Sequence, residues 1–249
     1  MSPESLVADI FIWQNALAVI VVLVAGIVRG FTGFGSALVM VPVLAILWSP
    51  TEAVTAALGL GVVGSAQLVP RALPQARWRE LGPMAVTLAL FTPIGTAILI
   101  GVDPETVRKI IAALILIITT IMLRGWQYGG PRGALPGAAA GAIGGVINGS
   151  AAIGGPFAVL YLLALKEDAV TQRANIVVQV ALMGVFGLLY IALAGAIGAT
   201  DLIRIAILAV PMLVGTWTGG RLFLRLPGTV FRTIVMWVLI VMSLTILIF

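Results

Sequence analysis

The apolar run across residues 10–48 is long enough to enter a bilayer and return, yet it is interrupted in its middle by a glycine-rich segment, FTGFGS. The interruption lies in a longer patch, GIVRGFTGFGSALVMVP at residues 26–42, and a degenerate second copy, GAIGGVINGSAAIGGP, occupies residues 141–156. A single one-residue gap aligns Gly26 with Gly141, Gly30 with Gly145, Ser36 with Ser150 and Pro42 with Pro156. In a membrane protein, paired interruptions at corresponding places in two halves point to a binding site.

The environment follows from the residue balance. With 61% hydrophobic and only 9% charged residues, the chain has too few charges to cover a water-facing surface. Apolar stretches of spanning length recur along the whole sequence between short polar turns, so the expected fold is an all-α polytopic membrane protein, with no stretch left for a soluble domain. Glu4 and Asp9 stand where a cleavable signal peptide needs basic residues, and the N-terminus therefore reads as mature sequence. Cysteine and histidine are both absent, which removes disulfides, thiol chemistry, haem and most zinc or copper sites; no cofactor and no metal are expected. A net charge of +5 spread over loops is a topology signal, and no nucleic-acid partner is expected.

Both halves share one layout. The run at 10–48, broken near 32–36, is followed by spans at about 54–69, 81–100 and 110–123; the run at 138–165, broken near 148–150, is followed by spans at about 176–196, 202–223 and 230–249. An N-terminal repeat (1–124), a basic cytoplasmic connector (125–137) and a C-terminal repeat (138–249) make up one integral membrane domain. Shorter echoes extend the duplication: EAVT at 52–55 and DAVT at 168–171, Gly95-Thr96 and Gly215-Thr216, and the stretches 104–107 and 227–230.

Charge sets the orientation. Arg71, Arg77, Arg79, Arg124, Arg132, Lys166, Arg173, Arg221, Arg225 and Arg232, ten of the fourteen basic residues, fall on one set of loops, which the positive-inside rule assigns to the cytoplasm. Glu4 and Glu52 then lie together outside, as Arg132 and Lys166 lie together inside, so each broken run is expected to enter and return, the simpler topology in which each crosses completely staying open. Each repeat becomes a broken-helix, re-entrant-like hairpin followed by three transmembrane helices, and the odd number of crossings makes the two repeats inverted copies. Both termini are expected outside the cytoplasm, in a multi-pass inner (plasma) membrane protein. A hairpin arm of about fourteen residues would reach roughly 21 Å, short of a bilayer core of about 30 Å.

Non-helical backbone survives at membrane depth only beside protein or a wet cavity. Thr32, Gly33, Phe34, Gly35 and Ser36 at one tip, and Asn148, Gly149, Ser150 and Ala151 at the other, would expose amides, with Ser36 and Ser150 as N-caps of the returning helices. Converging amides and helix-dipole ends favour an oxyanion there. Glycines four apart, such as Gly26 with Gly30 and Gly141 with Gly145, equally suit tight helix packing. Arg29 is the one charge deep within a predicted span: it either supplies positive charge to an anion or snorkels to the cytoplasmic face. Gln67, Asn175 and Gln179 are candidates to line the pathway or to bond between helices. No acidic residue lies within a span, no His or Lys base accompanies either serine, and no GxxxxGK[ST] loop is present, so enzyme and ATP-driven readings are set aside.

The runs GFGSALVMVPVLAIL at 33–47 and NGSAAIGGPFAVLYLLAL at 148–165, with GGRLFLRLPGTVFRTIV at 219–235, together make the chain similar to the TauE/SafE sulfite exporter family, the TSUP transporters. The resemblance covers essentially the whole chain. It implies a secondary transporter exporting a small sulfur-containing anion such as sulfite, sulfoacetate or a related organosulfonate, with protons as the coupling ion. It leaves open another small anion, a passive anion channel and a homo-oligomeric state. Many members carry a denser glycine run where this chain has GFGSA and NGSAA.

Overall fold

The computed structural model describes residues 3–125, 128–165 and 167–223, and all their regular structure is helical. In order these are α1 (Pro3–Thr32), α2 (Ser36–Leu47), α3 (Pro50–Ala72), a short 3-10 turn (Leu73–Gln75), α4 (Trp78–Gly101), α5 (Pro104–Leu123), α6 (Ala134–Ala151), α7 (Gly155–Ala164), α8 (Ala169–Leu193) and α9 (Ala199–Phe223). Six of them, in α1, α3, α4, α5, α8 and α9, are long and apolar enough to cross a membrane. Large apolar side chains such as Trp13, Val86, Leu90, Ile207 and Val210 stand exposed along these helices, where lipid and not water would meet them. The chain is a multi-pass membrane protein. The expected last span at 230–249, with Arg225 and Arg232, lies outside the described residues, as does Lys166.

The helix boundaries have local causes. Ser49 and Glu52 form a capping box at the start of α3, the Ser49 hydroxyl accepting from the Glu52 amide at 3.2 Å and the Glu52 carboxylate from the Ser49 amide at 2.9 Å. Asp168 caps α8 by accepting from the amides of Val170 and Thr171, and these bonds with the Thr171 hydroxyl hold its carboxyl below the usual range. The EAVT and DAVT echoes are thus out of phase by a turn: Glu52 is the third residue of its helix, whereas Asp168 is the cap.

Glycines set the helix pairs. Gly26 meets Met212 and Thr216, and Gly30 meets Thr216 and Gly220, so α1 and α9 run parallel at backbone contact. Gly141 meets Met84 and Thr87, Gly145 meets Leu88 and Thr92, and Gly149 meets Thr92 and Thr96, which pairs α6 with α4 in the same way. A β-carbon on Gly95 would overlap the Val146 carbonyl, and one on Gly215 the Leu23 carbonyl, so the two Gly-Thr echoes occupy matching places. Gly26 thus occupies on α9 the place that Gly149 occupies on α4. Gly59 and Gly64 place α3 parallel to α9, while Leu58 against Gly187 and Val62 against Gly184 place α3 antiparallel to α8. Gly144 and Asn148 meet Met183 and Gly187 in that order, so α8 runs with α6. Hence α1, α3 and α9 run one way, and α4, α6 and α8 the other.

Two expectations about the breaks are corrected. The first falls at Gly33, Phe34 and Gly35 as read, but the second falls at Ala152, Ile153 and Gly154, whereas Asn148, Gly149 and Ser150 remain helical. The Gly-Gly-Pro sequence at 154–156 explains the shift, because proline favours the first turn of a helix and so starts α7 there. Neither serine is an N-cap: Gly35 holds that position for α2 without a side-chain bond, and Ser150 sits in the last turn of α6. The outgoing arm is also longer than read, since the span at Trp13–Thr32 has 20 residues, about 30 Å of helix.

Candidate functional site

Each break begins with the same motif. The amide of Gly33 donates to the carbonyl of Arg29 at 2.7 Å, and that of Ala152 to the carbonyl of Asn148 at 2.8 Å. Gly33 (φ 85°) and Ala152 (φ 59°) are both left-handed, which is the αL ending of a helix. Gly35 (φ 87°) completes the first turn, and only glycine adopts that conformation without strain. The Thr32 hydroxyl lies 2.8 Å from the Val28 carbonyl and accepts the Phe34 amide at 3.2 Å, tying the turn to the end of α1.

Between the two breaks lies a cavity of about 40 Å³, walled by both and closed by α3 and α8. Its polar part is Arg29, Ser36 and Asn148, with Gly35, Ala37 and Leu38 at the start of α2. The first amides of a helix have no partner within it, and α2 has no side-chain cap, so these N–H groups are available to a ligand. The facing start of α7 offers less, because Pro156 has no N–H. Apolar groups, among them Phe34, Leu58, Ile153, Val180 and Met183, line the remainder.

Arg29 is 2% exposed and has no ion-pair partner among the described residues. One guanidinium nitrogen donates to the Ser65 hydroxyl at 2.5 Å and another to the Ser36 hydroxyl at 3.3 Å; Nε is buried without a partner. Space for this side chain comes from glycines on α3: a β-carbon on Gly64 would press on its Cδ and Nε at 3.1 Å. Asn148 is held comparably, donating to the Met183 carbonyl at 2.8 Å, with Gly187 leaving room for its amide. Arg29 therefore points inward to a cavity, not outward to the cytoplasmic surface.

Of the residues read from sequence, Arg29, Phe34, Gly35, Ser36 and Asn148 are brought together around the cavity. Thr32 and Gly33 shape its turn. Gly149 packs on the Thr92 carbonyl of α4; Ser150 donates to the Ile147 carbonyl at 3.3 Å; Ala151 is buried in the core. Gln67 is on an exposed face near the Leu213 carbonyl, and Asn175 accepts from the Arg77 amide at 2.8 Å. Gln179 is fully buried with neither amide atom bonded among the described residues, away from the lining. Ser65, Gly61 and Gly64 were not singled out from sequence, although the small-residue stretch GLGVVGS at 59–65 is the signal that marks them.

A buried cation in a cavity between two helix breaks of a membrane protein has the features of a transporter's binding site. Residues 18–246 match the family model for the sulfite exporter TauE/SafE, and the chain belongs to that family. No curated protein matches the chain, and no solved structure does.

Proposed function

We propose that the protein is a secondary transporter that exports a small sulfur-containing anion, sulfite or an organosulfonate, by alternating access, with the anion held between the two breaks. The observation that carries this is Arg29: a buried guanidinium with no carboxylate partner among the described residues, one free N–H, and a cavity beside it. An unpaired buried charge is costly, and a bound anion supplies the missing partner. The Ser36 hydroxyl and the uncapped amides of α2 add neutral donors on the same side.

Two opposed sets of helices support inverted repeats at 1–124 and 138–249 joined by a connector at 125–137, with α1 corresponding to α6, α3 to α8 and α4 to α9. Exchange of the two arrangements gives inward- and outward-facing states around one site. The distribution of basic residues supports an inner-membrane protein with its connector on the cytoplasmic side and both termini outside. With no acidic residue lining the cavity, proton coupling resides in the anion.

Uptake of radiolabelled sulfite into proteoliposomes tests this. Saturable flux with counterflow, lost in Arg29→Met and reduced in Ser36→Ala while both variants stay folded, is expected. Flux unchanged by Arg29→Met overturns the site, and flux without saturation or counterflow indicates a channel.

A further inference from the structure

Arg29 is the one charged residue among those lining the cavity. The helix ends do not add to it: each break joins the C-terminus of one helix to the N-terminus of the next, so their dipole charges of about −0.5 and +0.5 offset one another. Asn148 and the hydroxyls of Ser36 and Ser65 are neutral. Other charged side chains on these elements point elsewhere: Arg173 of α8 donates to the Gly30 carbonyl outside the lining, Glu52 of α3 pairs with Arg204 of α9, Arg71 at the end of α3 is exposed, and Arg221 lies over the Trp217 ring. Neither α2, α6 nor α7 contains a charged residue. The cavity thus presents one net positive charge with apolar walls.

The cavity is also small. About 40 Å³ accommodates roughly three or four water-sized atoms at about 10–15 Å³ each.

We propose that this cavity selects its ligand by charge, taking a singly charged oxyanion such as hydrogen sulfite and discriminating against the doubly charged forms, sulfite and sulfate. This rests on the assignment of the cavity as the anion site and narrows it. A monoanion against Arg29 leaves the buried pair neutral, while a dianion leaves an unbalanced charge in a poorly solvated cavity. Sulfoacetate, doubly charged, is disfavoured on the same ground. Since hydrogen sulfite loses its proton near neutrality, each anion exported would take one proton with it, and the protein needs no titratable relay.

Methanesulfonate and sulfate provide the test, being of similar shape and size but differing by one charge. In titrations of the full chain in detergent, methanesulfonate is expected to bind at least tenfold more tightly than sulfate. Total sulfite should bind more tightly as pH falls from 8.5 to 6, with methanesulfonate level across that range. Sulfate binding as well as methanesulfonate, or sulfite binding better in alkali, overturns charge selection while leaving the anion site standing; failure of every anion to bind folded protein overturns both. Asn148→Lys supplies a second cation and should move the preference towards sulfate, and a folded variant that still prefers methanesulfonate overturns the inference. If that variant does not fold, the comparison on the unaltered chain decides.

Discussion

Arg29 and Asn148 each stand four residues before the left-handed residue that ends their helix, each with its carbonyl accepting that residue's amide, and both side chains reach one cavity. The two positions stand alike to their breaks but differ in charge, so the site is asymmetric in electrostatics. A guanidinium on one side and an amide on the other give one cation and several neutral donors.

That asymmetry can be tested by supplying the missing charge internally. Asn148→Asp puts a resident carboxylate into the cavity that Arg29 lines, and it should take the place of the external anion. Anion-induced thermal stabilisation is expected to fall at least tenfold in apparent affinity, about 1.4 kcal/mol, while the variant remains folded. Stabilisation by anion equal to that of the unaltered chain would separate Asn148 from the site.

Arg29→Lys keeps the charge but loses the fork. A single ammonium on a flexible stem does not reproduce the paired bonds to Ser36 and Ser65. Anion affinity is expected to drop roughly tenfold or more, a loss of about 1.4 kcal/mol or greater, as read by titration. Full retention would mean that net charge alone, without orientation, defines the site.

The spans were legible because apolar length is a direct physical requirement of the bilayer, and the first break because Gly33 and Gly35 are residues that left-handed backbone favours. The second break was misplaced because letters were aligned in place of backbone roles: Pro42 lies inside α2, whereas Pro156 begins α7. Ala152 adopts a left-handed conformation that its side chain does not advertise. Ser65 and Gly64 were missed because contact with Arg29 depends on how α3 is rotated against α1, which no local pattern specifies. Arg29, by contrast, was marked by its isolation in an apolar run, since a charge is kept at such depth only where something holds it.

Two glycines of α4 should respond oppositely to alanine. A β-carbon on Gly95 would collide with the backbone of α6, whereas one on Gly82 would meet nothing within 4 Å. Gly95→Ala is expected to lower stability by about 1–3 kcal/mol through overpacking. Gly82→Ala should raise it by about 0.5–1 kcal/mol through helix propensity. Thermal unfolding in detergent compares the pair, and equal responses would contradict the backbone contact between α4 and α6.

Gln179 is fully buried, and its amide nitrogen and oxygen both lack partners among the described residues. Both atoms have lost water without a compensating bond, at a cost of about 1–3 kcal/mol per group. If no ligand or moving element meets them, Gln179→Met, similar in volume, should raise the melting temperature and leave transport unchanged, because the residue is outside the cavity lining. A variant that is more stable yet inactive would instead assign the glutamine to another state of the transport cycle, in which its amide finds the partner missing here. Stability measured beside sulfite flux in the same preparation separates the two, and a destabilised variant would reject the account of Gln179 as an uncompensated buried amide.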